Sequence, residues 1–478
     1  MPRTRRSDAT GRALVAALAS LALGLSAAGA AAQPVPAGER ARLLAGGVVD
    51  PALIAELDRV ERVPVLVVLA GREHEAGALA RLAAGEDRVR RRYGALPVLA
   101  LELSGPGLAR LARAPGLVAV GPDLPVEAQL AESVPLMRLD WLHNQGATGS
   151  GVTVAVLDTG IDTDHPNLAA GLVAQRCFCD IIPGGGCCPN GSASQSGAGA
   201  AEDDHGHGTR VAGVIRSSHP SAGGGAPASS IVAVKVLSAS GGGLSSDVVA
   251  ALDWVLTARP DVDVVNVSLG GGLYAGDCDN ADANTLAFAA AIAPLHARGT
   301  LVVAGSGNNG SGSGMIMPAC VAQAVSVGAV WDADVGSQSV LGCTDSTTQA
   351  DQVTCWSNAS TTTDVFAPGG RVTTPSLGGG LATVAGTSYA TPMASACAAA
   401  LLSAVPGTSA DDLTAALTAS PFLVTDATNG LSYPRVDCLS ALHLLAPHVP
   451  ALPHAAGPLL ALGLAAAGAA GLRIRARR

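Results

Sequence analysis

Three short segments of this chain set an acid, a base and a hydroxyl beside glycine: Asp158-Thr159-Gly160, His207-Gly208-Thr209 and Gly386-Thr387-Ser388. A serine hydroxyl is a poor nucleophile near neutral pH unless an imidazole removes its proton. The imidazole in turn needs a carboxylate to fix its tautomer and to stabilise its charged form. All three residue types needed for nucleophilic acyl transfer are therefore present. A glycine-flanked Asp, His or Ser also occurs in ordinary turns, so the weight of the three segments comes from what surrounds them.

Residues 152–157 form a short apolar run rich in β-branched side chains, which suits a buried parallel strand, and Asp158 stands at its carboxyl end. Ligands of open α/β sheets bind at that edge. Residues 209–215 are small or apolar and can pack as a helix opened by His207, with Gly206 and Gly208 allowing close backbone approach. Ser388 precedes a run of good helix formers, residues 390–404, which puts its hydroxyl at a helix N-terminus. Free amides and the positive end of the dipole favour an oxyanion there. A further apolar strand, 301–305, runs into a glycine-rich turn holding Asn308, and residues 264–269 lead into Gly270-Gly271-Gly272. Asparagine in such a turn is by itself an ordinary turn former.

With these surroundings the chain resembles the subtilisin-like serine proteases. The resemblance lies in Val154-Ala155-Val156-Leu157-Asp158-Thr159-Gly160-Ile161, in Gly206-His207-Gly208-Thr209-Arg210-Val211-Ala212-Gly213 and in Gly386-Thr387-Ser388-Tyr389-Ala390-Thr391-Pro392. It implies an α/β, three-layer fold with a mostly parallel central sheet, with Asp158, His207 and Ser388 as the catalytic triad. It also implies an oxyanion hole made of the Asn308 side-chain amide and the Ser388 backbone amide, and a substrate cleft lined by Ser268, Leu269 and Gly270. Gly305 and Ile316 fall near the pocket for the residue before the cut, which a branched Ile316 would narrow. Arg210 stands where many relatives have histidine, and Ser306 replaces a more usual alanine; neither touches a catalytic role. Asn167 replaces a frequent calcium-ligating Asp, and residues 216–225 lack the usual carbonyl loop. Catalysis needs no cofactor. Asp162, Asp164, Asp203 and Asp204 are oxygen donors suited to a structural calcium ion, or simply solvated loop carboxylates.

The ends of the chain indicate where it works. Arg3, Arg5, Arg6 and Arg12 precede an apolar run, 13–25, and Ala30-Ala31-Ala32 offers a small-residue cleavage site, so residues 1–32 read as a secretory signal. Residues 455–472 carry no charge, long enough at about 1.5 Å per residue to cross a bilayer core, and an arginine cluster follows. The stretch 446–478 is thus a linker and tether helix, a sorting signal, or a loose tail. Export would place the protein outside the cytoplasm, as a secreted, periplasmic or cell-surface monomer.

Between signal and catalytic unit, residues 33–132 read as a small ferredoxin-like α+β domain: strands at 63–69, 96–103 and 117–120, helices at 76–92 and 107–114, and an exit strand at 122–127. This part resembles the inhibitory propeptides of the same proteases, which act as intramolecular inhibitors and are then cut off, here between residues 129 and 135. An ordinary binding module is the alternative. The peptidase domain would span 133–445.

Between residues 134 and 450 there are 24 acidic and 9 basic side chains. Such a surface excludes nucleic acid, whose binding needs clustered Lys and Arg. All ten cysteines lie between Cys177 and Cys438. In an exported chain an even count favours disulfides over metal, even for the cluster Cys177, Cys179, Cys187 and Cys188 in the Gly/Pro/Ser-rich insertion 175–201. Two bridges are expected within that loop, and Cys278 with Cys320, Cys343 with Cys355 and Cys397 with Cys438 are the favoured remaining pairs, although spacing alone does not fix connectivity. The chain is thus expected to be a serine endopeptidase made as a zymogen and acting on proteins or peptides. A catalytically silent relative and an acyl transferase are the alternatives.

Overall fold

The computed structural model describes residues 34–123, 125–128, 133–181 and 185–446. The expected signal segment, the stretch 129–132 within the expected processing region, and the apolar tail lie outside the described residues. Among the described residues no helix is long and apolar enough to cross a membrane.

The N-terminal part opens with α1 (Ala37–Ala45) and α2 (Pro51–Leu57). It continues through β1 (Val63–Leu69), α3 (Glu75–Leu79), β2 (Arg88–Arg92), β3 (Val98–Leu103), α4 (Gly105–Leu111) and β4 (Leu117–Pro122). The strands form an antiparallel sheet in the order β2-β3-β1-β4, a β-α-β-β-α-β arrangement. Alternation along β1 sends Val63, Val65 and Val67 into a core with Leu53, Leu57 and Leu108. Leu66 and Val68 face the other way, into the larger part of the molecule. The expected helix over 76–92 is corrected here: only α3 is helical, and Gly85, at a φ of +86°, breaks the chain before β2. Residues 88–92 have the composition of a helix, but they become an edge strand whose arginines meet Asp180 and Asp247 of the larger part.

After β5 (Pro125–Ala128) and α5 (Leu139–Asn144) comes the unit that holds the chemistry. It contains β6 (Thr153–Asp158), β7 (Leu172–Phe178), a small hairpin of β8 (Asp180–Ile181) and β9 (Gly185–Gly186), β10 (Ser194–Ser196), and α6 (His207–Arg216). The hairpin of β11 (Ser218–His219) and β12 (Ala222–Gly223) follows, then β13 (Ser230–Lys235), β14 (Gly242–Leu244), α7 (Ser245–Ala258), β15 (Val264–Val267), β16 (Leu269–Tyr274) and α8 (Ala283–Ala297). Last come β17 (Leu301–Gly305), β18 (Met315–Met317), β19 (Ala324–Val330), β20 (Val365–Pro368) and α9 (Thr387–Ala404).

The central sheet has eight strands in the order β10-β7-β13-β6-β15-β17-β19-β20. It is parallel except where β10 meets β7. Its strands are apolar on both faces because both are covered. Val154 and Val156 pack with α6 and α9 on one side. Ala155 and Leu157 pack with α7 and α8 on the other. The same period of two carries Asp158 to the side of α6 and α9. The N-terminal sheet lies on α7 and α8.

All ten cysteines are paired: Cys177 with Cys188, Cys179 with Cys187, Cys278 with Cys320, Cys343 with Cys355, and Cys397 with Cys438. The last bond ties α9 to the helix Cys438–Leu445 across a separation of 41 residues. Closing a loop of that length restricts the unfolded chain by an amount equivalent to about 3–4 kcal/mol. Replacing both Cys397 and Cys438 by alanine in a Ser388→Ala background, where self-digestion is blocked, should lower the unfolding free energy by that amount. Equilibrium urea denaturation checks it, and an unchanged midpoint and slope would contradict it.

Candidate active site

Asp158 ends β6, and His207 is the first residue of α6. The two are brought together by a close approach of helix to strand: a Cβ on Gly208 would come within 2.0 Å of the Gly160 carbonyl and 3.0 Å of Asp158 Cβ. Only glycine permits that approach. His207 Nδ1 donates to Asp158 Oδ1 at 2.6 Å, and the same oxygen accepts the Thr159 amide at 2.7 Å. Both side chains are buried. A carboxylate on Nδ1 sets the tautomer that leaves Nε2 able to accept a proton.

Ser388 lies in the first turn of α9, buried beside α6. The ring of the next residue, Tyr389, is 5.5 Å from that of His207. Pro392 sits four residues after Ser388 inside the helix and has no N–H to return to the Ser388 carbonyl. That carbonyl instead accepts Ser268 Oγ at 2.6 Å. Ser268 in turn accepts Asn266 Nδ2 at 2.9 Å, and Asn266 Oδ1 accepts Ser395 Oγ at 2.9 Å. This buried polar chain locks the start of α9 to the end of β15. The hydroxyl of Ser268, a residue of the strand expected to line the cleft, is thus directed to the helix.

Asn308 follows β17. Its Oδ1 accepts the Thr387 amide at 2.8 Å, and Thr387 Oγ1 accepts the Gly307 amide at 3.2 Å. Because only the carbonyl oxygen can accept that N–H, the orientation of the amide is fixed. Its Nδ2 is left buried with no partner among the described residues. An unpaired buried donor costs about 1–3 kcal/mol and calls for a reason.

The cleft is bounded by a second sheet of order β14-β5-β16-β18. β5 is antiparallel to both neighbours, with Glu127 opposite Gly242 and Gly270, and Ala128 opposite Leu269. The segment leaving the N-terminal part therefore occupies the place of an added strand. Leu269 is buried within β16. A Cβ on Gly270 would come within 2.7 Å of Ile316 Cδ1, and one on Gly307 within 2.9 Å of Ile316 Cγ2. Ile316 thus fills the space between those glycines. Gly305 lies under α9, where a Cβ would meet Thr391 Oγ1 at 2.9 Å.

Several residues support the site in ways the sequence did not indicate. Asp203 accepts Thr159 Oγ1, the amides of His205, Gly206 and Thr209, and Thr209 Oγ1, at 2.5–3.0 Å. Burial pushes its carboxyl up, but these hydrogen bonds outweigh that and hold it below its ordinary value. Arg210 Nε donates to Tyr389 Oη at 2.9 Å, joining α6 to α9. Burial raises the Tyr389 phenol well above its usual range. His205, with its ring 6.3 Å from that of His207, is held below its ordinary value by burial and then by His207.

The carboxylates considered for calcium take different partners. Asp203 is saturated as described, Asp204 pairs with buried Lys235 at 2.5 Å, Asp162 accepts the Gly378 amide at 2.8 Å, and Asp164 is exposed. Among the described residues no three His, Cys, Asp or Glu side chains converge. The Asn167 carbonyl accepts the Ser218 amide of the β11–β12 hairpin at 3.2 Å.

Comparison with known proteins follows the same residues. The profile of Peptidase S8, the Subtilase family, matches residues 149–437. An alkaline protease of Shouchella clausii is 34% identical over 313 residues, covering 64% of this chain and 69% of that protein. Subtilisin Savinase of Lederbergia lenta is 36% identical over 275 residues, 56% of this chain and 84% of its own length. Subtilisin E of Bacillus subtilis strain 168 is 30% identical over 328 residues, 67% and 74% of the two chains.

Proposed function

Because this chain belongs to the subtilase family of serine endopeptidases, we propose that it cleaves peptide bonds through Asp158, His207 and Ser388. Ser388 Oγ attacks the scissile carbonyl carbon while His207 Nε2 takes its proton, and Asp158 holds the imidazolium through Nδ1. The resulting oxyanion accepts hydrogen bonds from Asn308 Nδ2 and the Ser388 amide. Collapse breaks the C–N bond as the imidazolium passes its proton to the leaving amine. Water, deprotonated by the same His207, then releases the acyl group from Ser388. The observation that carries this reading is the buried 2.6 Å bond between His207 and Asp158 beside the helix of Ser388. A fluorophosphonate probe should label one residue, found by mass spectrometry at Ser388, and labelling should vanish in His207→Ala. Labelling elsewhere, or none, would overturn it.

The protein on this reading is exported by residues 1–32 as a zymogen and works as a monomer. Residues 33–132 act as its intramolecular inhibitor and 133–445 as the peptidase, with the cut between 129 and 135. The tail from 446 serves as a tether or sorting signal. In support of self-inhibition, β5 pairs with β14 and β16 as a bound peptide would.

For the residue before the cut, the contacts of Ile316 with the backbone at Gly270 and Gly307 favour small side chains. Ile316→Ala should therefore raise kcat/KM for phenylalanine relative to alanine at that position by about 10- to 100-fold, the range that a few methylenes of pocket space provide. A peptide-library profile of both proteins checks it. Strong cleavage after large aromatics by the unchanged protein would sink the idea.

A further inference from the structure

The insertion between β7 and β10 has no part in the chemistry above, yet it holds two of the five disulfides. Its first residues, 176–180, lie against the N-terminal domain. Phe178 stands between the bridged Cys177 and Cys179, and the guanidinium of Arg91, from β2, is 5.3 Å from the centre of its ring. Arg176 packs on the same ring at 4.4 Å. Asp180, next to Cys179, meets Arg90: Nη2 lies 3.3 Å from the carboxylate and donates to the Asp180 carbonyl at 3.2 Å. Arg90 also pairs with Asp123 at 2.7 Å, and Asp123 accepts the Ser246 amide in the first turn of α7 at 2.8 Å. Arg91 pairs with Asp247, whose second oxygen accepts the Asp180 amide at 3.0 Å. The amides of Gly94 and Ala95 donate to Asp253 at 2.8 and 3.0 Å.

We propose that the disulfide-stapled insertion is a receptor for the arginine pair Arg90–Arg91, and that it sets how long the N-terminal domain stays attached after the connecting chain is cut. The proposal rests on reading that domain as a removable inhibitor. The two bridges fix Phe178 and Asp180 before the arginines arrive, so little side-chain freedom is lost on contact. An aromatic face and a carboxylate are what a guanidinium recognises. Arg90 is 3% exposed and Asp247 1%, so losing Asp180 from the one, or Arg91 from the other, removes a partner in a water-poor setting. β8 also packs beside β14, the strand that borders β5, so receptor and cleft hold the same domain at two places.

The network adds a pH dependence of definite sign. Burial raises the Asp247 carboxyl to about 7 in the docked state, against the pull of Arg91 and the Asp180 amide, with Asp123 adding to the rise and Arg90 opposing it. Tyr93 also faces this group, and burial keeps its phenol protonated. Once Asp247 is open to water its carboxyl returns to the ordinary range, so docking takes up a proton. The contribution is whole below that range and is lost as pH rises through about 7.

The test uses the full chain carrying Ser388→Ala, and reads hydrogen exchange at residues 88–95 with β1 as internal reference. Asp180→Asn and Arg90→Gln should each raise exchange at Gly94 and Ala95 at least tenfold, and the double variant should add little to the larger effect. Unchanged exchange in both, or effects that multiply independently, would overturn the proposal. A rise that spreads to β6 and β19 marks a misfolded Asp180 variant, and Arg90→Gln, outside the peptidase domain, then decides. In the catalytically intact chain the same substitutions should shorten the delay before full peptidase activity about tenfold with the final activity unchanged. A parent chain without any peptidase activity sinks the catalytic reading and leaves the exchange result to judge the receptor.

Discussion

Ser388→Ala should yield a folded chain that neither hydrolyses peptides nor loses its N-terminal domain. The side chain removed is the only one in the site that forms a covalent bond to the substrate, and the His207–Asp158 pair has nothing to deprotonate without it. In a subtilisin, loss of the nucleophile lowers turnover by a factor of about 10⁶, and a similar loss is expected here. The structural cost is small because the Ser388 carbonyl, not its hydroxyl, carries the bond to Ser268. Mass spectrometry of the purified variant checks both halves: an intact chain, and no product from a peptide that the parent cleaves. A processed, active variant would remove the basis of the proposed mechanism.

The second large effect is expected from Asn308→Ala. Its Nδ2 has no partner among the described residues, while its Oδ1 is held by the Thr387 amide. A donor kept in place but unused in the resting site has its value in the transition state, when the carbonyl oxygen becomes negative. Turnover should fall by about 10² to 10³, a size established for such a donor in a subtilisin, with KM changing by less than threefold. Steady-state kinetics separate the outcomes. A raised KM at unchanged kcat would make Asn308 a ground-state contact. Part of any stability loss would come from the Thr387 amide, which thermal unfolding measures separately.

Much of this site could be read from local patterns. The apolar run before Asp158 and the glycines around His207 specify a strand end and a close-packed helix start, and both are found where those residues require them. The even cysteine count pointed to disulfides, and the favoured pairs Cys278 with Cys320, Cys343 with Cys355 and Cys397 with Cys438 are those found, although parity alone leaves the connectivity open. Other features depend on partners far away in sequence. Residues 88–92 become a strand because their arginines meet Asp123, Asp180 and Asp247, which no local window reveals. The use of Ser268, Asn266 and Ser395 to hold α9 follows from the carbonyl that Pro392 leaves free. That consequence appears only when β15 and α9 are adjacent.

The antiparallel seat of β5 between β14 and β16 has a consequence for kinetics. While the segment remains joined to both parts, its local concentration at the cleft is set by the tether, at about the millimolar level, and not by dilution. On the proposed zymogen reading, the first cut is then a unimolecular event whose rate does not depend on protein concentration. After it, occupancy becomes an ordinary bimolecular equilibrium. Spreading the protein into a larger volume would by itself switch it on.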